Sequence, residues 1–329
     1  MSGRPLLVTG GAGYIGSHAV RALRKAGYEP VVLDNFSRGH EEAVPTDIEC
    51  IRGDIADGNV SEILTSRGIT GIVHFAAHSQ VGESMTNPAI YYENNVVGSF
   101  RLIESARAAG VKHFVFSSTA AVYGEPDTIP IYETAALEPT NVYGRTKLMI
   151  ERMLSDYSEI YGLRYTALRY FNAAGADEGG DIGEDHTPET HLVPLVLEAA
   201  SGKRDGVTVF GTDYPTPDGT CIRDYIHVTD LAEAHVKALG YLENGGDSVV
   251  LNLGTGRGLS VKEIIDAAGR VTGRAFPVHY GERRAGDPGV LVADASRARD
   301  LLGWTASRSD ADTILADAWA WHRSHPDGY

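Results

Sequence analysis

Three glycines spaced three residues apart stand between the first apolar run of the chain, residues 6–8, and the helix pattern that follows. These glycines are Gly10, Gly13 and Gly16. Apolar side chains then recur at the period of one helix face, at Ile15, Ala19 and Leu23. A turn this tight, with a helix packed closely against a strand, favours glycine because glycine has no Cβ. The pattern predicts a strand, a glycine-rich turn and a helix in succession.

Strand and helix patterns continue to alternate through the first half of the chain. Gly27 ends the first helix, and buried-type strands are predicted over residues 29–33, 48–51, 71–75, 113–117 and 165–169. Helical stretches separate them, including one after Pro88 and one from about Thr140 to Tyr161. Such alternation predicts an α/β fold, a Rossmann-type doubly wound parallel sheet covered by helices on both faces.

The pattern loosens beyond residue 171. Residues 173–188 are rich in glycine and acidic residues and are expected to form a surface loop, and shorter strands follow at 207–210, 249–253 and 277–280. We therefore expect a dinucleotide-binding domain over residues 1–171 and a smaller C-terminal α/β substrate domain over residues 172–329. A segment near residues 222–244 is expected to return to the first domain, with a helix at 229–242 packing on it.

Charge and composition narrow the classes of partner. The formal net charge is -15, so nucleic acid is not an expected partner, because such binding depends on basic surface. An anionic ligand would instead need local positive groups. The two cysteines, Cys50 and Cys221, give no disulfide framework, and neither a signal-type segment nor a membrane-spanning run is evident. A cytoplasmic protein with no membrane partner is expected.

The glycine-rich turn has the context of a dinucleotide site. N–H groups at the start of the helix would face a pyrophosphate. Asp34 closes the second strand, where a carboxylate can accept both ribose hydroxyls and disfavours a 2′-phosphate, so NAD is expected rather than NADP. Arg38 could serve a 2′-phosphate but is interpreted as a solvated loop charge. Asp54 follows the third strand, where it could bind the adenine amino group or cap the next helix.

A tyrosine and a lysine four residues apart are the best candidates for chemistry. Tyr143 and Lys147 share one helix face, and an ammonium beside a phenol, together with a positive nicotinamide ring, lowers the phenol pKa toward the working range. Thr119, at the end of the strand over residues 113–117, could hydrogen-bond the same substrate oxygen. This set suits a dehydrogenase-type proton transfer.

The chain resembles the UDP-glucose 4-epimerases, members of the extended short-chain dehydrogenase/reductase family. Matching motifs lie at residues 9–18, 33–35, 81–84, 91–97, 143–147, 169–172, 214–216, 223–228 and 321–329. The resemblance covers nearly the whole chain. It implies that a tightly held NAD⁺ takes hydride from the sugar C4, and that the 4-keto sugar turns and accepts the hydride on its other face.

The resemblance also implies roles for individual residues. Tyr143 would be the base, Lys147 would bind the nicotinamide ribose, and Thr119 would orient the sugar oxygen. The cofactor would further contact Gly10, Gly13, Tyr14, Ile15, Gly16, Asp34, Asn35, Asp54, Ile55, Phe75, Ala76, Ala77, Asn95, Ser117 and Tyr170. The UDP-sugar would contact Thr119, Tyr143, Phe171, Asn172, His191, Leu192, Phe210, Arg223, Tyr225, Val261, Arg284, Asp287 and Leu291. Leu192 and Val261 have an alternative interpretation as core residues. No metal ligand is assigned.

Departures from the family pattern leave specific questions open. Ser79 stands where a lysine commonly helps to hold the cofactor, and Leu291 stands at the position that gates the sugar cavity. UDP-N-acetylhexosamines or UDP-pentoses therefore remain alternative substrates. Ala120 and Ala121 replace the acid and base of a 4,6-dehydratase, which disfavours dehydration. A non-catalytic NAD-binding regulator is a further alternative, which the presence of Tyr143 and Lys147 disfavours.

A homodimer is expected by resemblance, through the helices after Pro88 and after Thr140. The apolar residues compatible with that interface, or with the side facing the sheet, are Val96, Val97, Phe100, Leu148 and Met149.

Overall fold

The computed structural model describes residues 3–284 and 288–329. Its strands are β1 Arg4–Thr9, β2 Tyr28–Asp34, β3 Cys50–Arg52, β4 Gly71–His74, β5 His113–Ser117, β6 Arg164–Arg169, β7 Asn172–Ala174, β8 Val207–Phe210, β9 Ile222–Arg223, β10 Tyr225–His227, β11 Val249–Asn252, β12 Leu259–Ser260, β13 Val278–Gly281 and β14 Val290–Leu291. Its α-helices are α1 Tyr14–Lys25, α2 Val60–Ser66, α3 Val81–Thr86, α4 Pro88–Tyr91, α5 Ser99–Ala108, α6 Val142–Tyr161, α7 Leu192–Ser201, α8 Val228–Glu243, α9 Val261–Thr272, α10 Ser296–Leu302 and α11 Ala311–Ser324.

Seven parallel strands form the central sheet, in the order β11-β6-β5-β4-β1-β2-β3. The inner strands are buried on both faces, as in β1, where Leu6 and Val8 enter one hydrophobic core and Leu7 enters the other. Helices α1, α8 and α10 cover the first face, and α2, α5 and α6 cover the second. The doubly wound Rossmann-type architecture is confirmed. No helix in the described ranges combines the length and apolarity needed to cross a bilayer.

The remaining strands form small sheets beside the central one. β7 pairs with β10, β8 pairs with β13, and β9 lies between β12 and β14. Helices α7, α9 and α11 pack on one another around a separate core that includes Val196, Ile264 and Leu315. The division at residue 171 stays a prediction. It assigns these elements to the substrate domain, apart from β9 and β10, which fall in the segment near residues 222–244 that is expected to return to the first domain.

The assignment of one strand to that second domain is wrong. β11, predicted over residues 249–253 among the strands of the smaller domain, pairs in parallel with β6 and extends the central sheet, with Val250 opposite Ala167. The preceding helix α8 packs against α1, β5 and β6, as expected for the returning helix, and so delivers the chain to this sheet edge. The pattern of β11 indicated a buried strand but carried no information about its partner.

Candidate active site

The glycine-rich turn packs as closely as its sequence predicts. Gly10 has a φ of 70° and follows β1. A Cβ on Gly16 would lie 2.0 Å from the Gly10 carbonyl oxygen, whereas a Cβ on Gly13 would meet only that oxygen, at 3.4 Å. Gly13 is the N-cap of α1 and offers no capping side chain, so the first N–H groups of the helix are available to an anion. The turn thus leaves room at Gly13 for a diphosphate to approach the backbone.

Asp34 ends β2 beside this turn. Its carboxylate accepts hydrogen bonds from the N–H groups of Ala12 (2.9 Å) and Phe36 (2.9 Å). Burial raises its pKa, and the two N–H donors oppose that shift. Arg38 is exposed, as expected, and it is also engaged: it donates to the Thr187 carbonyl at 2.9 Å and pairs with Glu83 at 3.0 Å. With Arg38 engaged, the geometry suits a ribose with free hydroxyls.

Asn35 and Asp54, the next two candidates for binding the adenosine end of NAD, are hydrogen-bonded to each other. Asn35 donates through Nδ2 to Asp54 Oδ2 at 2.8 Å, and Asp54 also accepts from the Ala56 N–H at 2.9 Å. The alternative role of Asp54 as a helix cap is wrong, since α2 begins six residues later, at Val60, after Asn59 as N-cap. Its neighbour Ile55 is buried in the core under the sheet.

Asn95 fixes the loop that follows β4. It lies in a π-helical stretch, Tyr92–Gly98, between α4 and α5, a type of irregularity that is frequent at functional sites. The buried Asn95 amide accepts from the His78 N–H (2.9 Å), and it donates to the His78 carbonyl (3.0 Å) and to Thr146 Oγ1 (3.1 Å). Phe75 and Ala76 begin this loop, and their N–H groups both bond the Thr9 carbonyl. The loop, including Ala77, therefore flanks the glycine-rich turn where the order of the strands reverses.

Thr119 and Tyr143 meet at the carboxyl edge of the sheet. Thr119 follows β5 and caps the 3-10 turn Ala120–Tyr123 by accepting from the Ala121 N–H at 3.1 Å. Its side chain also hydrogen-bonds the Tyr143 phenol, which favours the phenolate. Burial is the stronger effect and raises the pKa of Tyr143 to about 12. Asn141 caps α6 by accepting from the Gly144 N–H at 2.8 Å, and so fixes where Tyr143 stands.

Lys147 lies one turn further along α6, with its side chain buried. Its Nζ donates to the Ser117 carbonyl at 2.8 Å and lies 5.9 Å from the centroid of the Tyr143 ring. Burial lowers the pKa of Lys147 to about 7. Burial therefore dominates the pKa of Tyr143 in the protein without NAD. The expectation that the ammonium and the nicotinamide charge together lower this pKa stays a prediction.

Two buried networks beside these residues had not been predicted from the sequence. Ser117 Oγ bonds the Tyr170 hydroxyl at 2.6 Å, which ties the end of β5 to the end of β6. Behind Lys147, Glu151 pairs with Arg169 through Nη2 (2.5 Å) and accepts from Ser118 Oγ (2.5 Å). Glu151 follows Lys147 by four residues, as Lys147 follows Tyr143. This spacing could have indicated from the sequence that Glu151 shares their helix face.

Candidates for the sugar and nucleotide lie around β9 and β14. Leu291 pairs with Arg223 across these strands. Leu291 and Phe171 pack against the apolar cluster that contains Ala120 and Leu148, each of which adjoins a catalytic candidate. The Arg284 guanidinium lies 4.2 Å above the ring of Phe210, which is 37% exposed. The predicted cation and the predicted aromatic platform therefore stand together.

The other substrate candidates are spread over the smaller sheets and helices. Asn172 and Tyr225 face each other between β7 and β10. Leu192 packs against the core of the smaller elements, whereas Val261 begins α9 and is partly buried. His191 is bonded to Glu184. Asp287 lies outside the described residues.

Comparison with known proteins agrees with this arrangement. The model of the NAD dependent epimerase/dehydratase family matches residues 6–254. The chain belongs to this family. A protein of Rhizobium leguminosarum bv. trifolii named UDP-glucose 4-epimerase is 53% identical over 326 residues, covering 98% of each chain.

Solved structures give the same result. A UDP-glucose 4-epimerase from Brucella ovis in complex with NAD is 51% identical, with a TM-score of 0.94 over 96% of this chain and 97% of that one. A Stenotrophomonas maltophila relative with bound NAD and formylated UDP-arabinopyranose is 42% identical, with a TM-score of 0.95 over 98% and 99% of the two chains. The resemblance found from the sequence is confirmed.

Proposed function

We propose that this enzyme interconverts UDP-galactose and UDP-glucose by inverting the configuration at C4 of the hexose. The observation that carries the proposal is the hydrogen-bonded pair of Thr119 and Tyr143, with Lys147 one helical turn away, at the sheet edge where the glycine-rich turn also opens. Full-length similarity of about half of all residues to proteins named UDP-glucose 4-epimerase supports it.

NAD fits the cradle formed by the turn. Gly13 leaves space for a diphosphate, the α1 N–H groups supply donors, and Asp34 supplies a carboxylate for the ribose. When bound, NAD⁺ supplies the hydride acceptor and, by returning the hydride, regenerates itself. The pocket's own residues then have three tasks: to hold the cofactor, to orient the sugar and to manage one proton.

Tyr143 is the residue proposed to transfer the proton of the C4 hydroxyl. In its phenolate form it would take the proton from the C4 hydroxyl while Thr119 holds the same oxygen, and the resulting phenol would give the proton back after the sugar has turned. Lys147, fixed to the end of β5, would hold the nicotinamide ribose. Because burial raises the pKa of Tyr143 to about 12, the phenolate needs a further positive charge nearby, and the cofactor pocket adjoins it.

Positive groups for the diphosphate of the substrate are present despite the acidic chain. We propose that Arg223 and Arg284 bind the diphosphate oxygens and that Phe210 packs on the uracil ring. The 4.2 Å contact between Arg284 and Phe210 brings two of these groups together. Asn172, His191, Leu192, Tyr225, Val261 and Asp287 complete the proposed UDP site.

Two related reactions, dehydration and epimerisation of other UDP-sugars, differ in how well the residues present suit them. Dehydration is disfavoured because Ala120 and Ala121, which follow Thr119, offer neither an acid nor a base. Epimerisation of a UDP-pentose or a UDP-N-acetylhexosamine stays a second candidate, because Leu291 is of intermediate size. The Stenotrophomonas relative holds a modified UDP-arabinopyranose.

The expected homodimer also remains a proposal. Phe100 on α5 and Met149 on α6 are 45% and 39% exposed, whereas Leu148 is buried and belongs to the core. The exposed pair supports an interface on these helices, which light scattering with a Phe100→Lys variant would test. We further propose a cytoplasmic location, in keeping with a sequence whose two cysteines provide no disulfide framework.

The test of function is turnover by the purified, tag-free protein. UDP-galactose, UDP-N-acetylgalactosamine and UDP-arabinopyranose are supplied separately, with and without catalytic NAD, and products are separated by chromatography. We expect conversion of UDP-galactose to UDP-glucose with no net consumption of NAD. Binding of UDP and NAD without turnover of any of these sugars would contradict the proposal and favour a non-catalytic regulator.

A further inference from the structure

Four side chains outside the proposed catalytic set converge at the end of the loop that precedes α7. They are Glu184, His186, Glu189 and His191, and one ligand atom from each lies within 4.8 Å of the other three. No metal ligand was predicted from the sequence. Nitrogen from two imidazoles and oxygen from two carboxylates make a ligand set that suits zinc.

Three distances within the cluster, from 3.3 to 3.9 Å, are near those between ligands of one small cation, whereas the hydrogen-bonded contact of His191 with Glu184 is shorter. His186 Nδ1 lies 3.3 Å from Glu184 Oε1 and 3.6 Å from Glu189 Oε2. His191 Nδ1 bonds the same Glu184 oxygen and lies 3.9 Å from Glu189 Oε1. Ligands about 2.1 Å from a tetrahedral zinc ion are separated by about 3.4 Å, so small movements would place all four in contact with it.

Burial of its two carboxylates distinguishes this cluster from ordinary surface charge, whereas the side chain of His191 is 49% exposed. The Glu184 side chain is 4% exposed and that of Glu189 is 8% exposed. The Trp321 indole donates to the Glu184 carbonyl at 3.3 Å, and the N–H of His191 bonds Glu189 Oε1 at 2.7 Å, so the backbone that carries the ligands is itself held. A buried carboxylate that faces two imidazole nitrogens needs a positive partner, which is either a protonated histidine or a metal ion.

The loop that bears the cluster, residues 175–191, lies across the glycine-rich turn; we call it the strap. The Tyr14 hydroxyl donates to the Gly175 carbonyl at 2.7 Å, and the Tyr14 ring makes an edge contact with His186, with centroids 6.3 Å apart. Near the other end of the strap, Gln80 donates to the Pro188 carbonyl at 3.3 Å. The cluster therefore stands where the strap meets the first turn of α1.

We propose that Glu184, His186, Glu189 and His191 form a structural zinc site that fastens the strap over the dinucleotide cradle. All four positions would be protein ligands, which is the closed coordination of a structural site rather than a catalytic one. His191 would bind through Nδ1, which leaves Nε2 for the nucleotide sugar. This site offers one means of retaining NAD in a chain that has Ser79 where relatives commonly carry a lysine.

Metal binding is tested independently of epimerase activity. Tag-free protein purified without chelator is analysed for metals, then stripped and titrated with Co²⁺, whose visible bands intensify at four-coordinate sites. We expect about one zinc per chain and intense bands. His186→Gln should weaken binding by more than about 100-fold, since even outer-shell changes cost 10–100-fold. His279→Gln, on exposed β13, is the matched control.

Retention of NAD is the second readout, and this part alone rests on the proposed cofactor site. Protein loaded with NAD is passed through a desalting column before and after metal removal, and the remaining NAD is measured over time. Faster release from the stripped protein, reversed by zinc, supports the fastening role. Equal metal affinity of wild type and His186→Gln overturns the site, and unchanged NAD release from a zinc-binding protein overturns the fastening.

Discussion

Lys147 Nζ donates a hydrogen bond of 2.8 Å to the carbonyl oxygen of Ser117 and lies 5.9 Å from the centroid of the Tyr143 ring. The lysine is therefore fixed to the end of β5 instead of contacting the phenol. Burial lowers the pKa of Lys147 to about 7 and raises that of Tyr143 to about 12. A phenol with this pKa is protonated near neutral pH, so we expect its activation to depend on the positive charge of the bound cofactor.

The buried lysine gives stability a pH dependence of known sign. Between about pH 7 and 10.4 the unfolded chain retains a proton on Lys147 that the folded chain has lost. This group therefore makes the free energy of unfolding rise with pH, by at most about 1.4 kcal/mol per unit. The Lys147→Met variant lacks this contribution. Its free energy of unfolding should therefore fall relative to that of wild type between pH 7 and pH 10.

Urea unfolding of NAD-free protein at several pH values measures this difference. Lys112→Met, at an exposed position, is the control and should follow the wild-type curve. Parallel stability curves for wild type and Lys147→Met would show that Lys147 keeps an ordinary pKa in the folded protein.

The buried pair of Glu151 and Arg169 supports the same helix face. Removing one partner leaves a buried charge without its counter-ion, so Glu151→Gln should lower the free energy of unfolding by about 3–5 kcal/mol. Glu159→Gln, exposed on the same helix, should change it by less than about 0.5 kcal/mol. Chemical denaturation checks both, and equal stability of the two variants would refute a structural role for the pair.

The elements that bear the chemistry were predictable because their signals are local. The glycines of the first turn, the carboxylate ending β2 and the Tyr143–Lys147 spacing each depend on a few consecutive residues. The partner of β11, the pairing of Glu151 with Arg169 and the contact of Phe210 with Arg284 depend on segments distant in sequence. Periodicity in one segment carries no information about such partners, so only the structure could supply them.

The environment of Tyr143 was only partly predictable, for a related physical reason. Spacing on a helix showed that an ammonium would be near, but not that its Nζ would bind the Ser117 carbonyl, nor how strongly burial would act on each group. The four proposed zinc ligands also lie within one short segment of the sequence, from which no metal site was predicted. Their convergence depends on the course of the strap over the first helix.

Two glycines of the turn should separate folding from cofactor binding. Gly16→Ala would place a Cβ 2.0 Å from the Gly10 carbonyl and should destabilise the fold. Gly13→Ala has its Cβ 3.4 Å from the same oxygen, so it should fold normally but fill the space proposed for the diphosphate. Thermal unfolding and NAD titration distinguish them, with Gly58→Ala, where a Cβ meets nothing within 4 Å, as control. Normal NAD affinity in Gly13→Ala would show that the diphosphate does not bind beside Gly13.

The size of residue 291 should set sugar specificity. Leu291 packs beside Phe171 on the cluster that contains Ala120 and Leu148. Leu291→Ala should raise kcat/KM for UDP-N-acetylgalactosamine relative to UDP-galactose by roughly 10-fold or more, the range of a few methylene contacts. Leu291→Tyr should shift the ratio the other way. A ratio unchanged in both variants would mean that another residue lines the sugar cavity.

The role of Tyr143 as the base at C4 is the central claim, and turnover of UDP-galactose by Tyr143→Phe tests it most directly. The variant should lose about 10²–10⁴-fold in kcat while its affinity for UDP stays within experimental error of wild type. Tyr161→Phe, exposed at the end of the same helix, should retain full activity. Near wild-type turnover in Tyr143→Phe, or loss of UDP binding in place of turnover, would contradict the account.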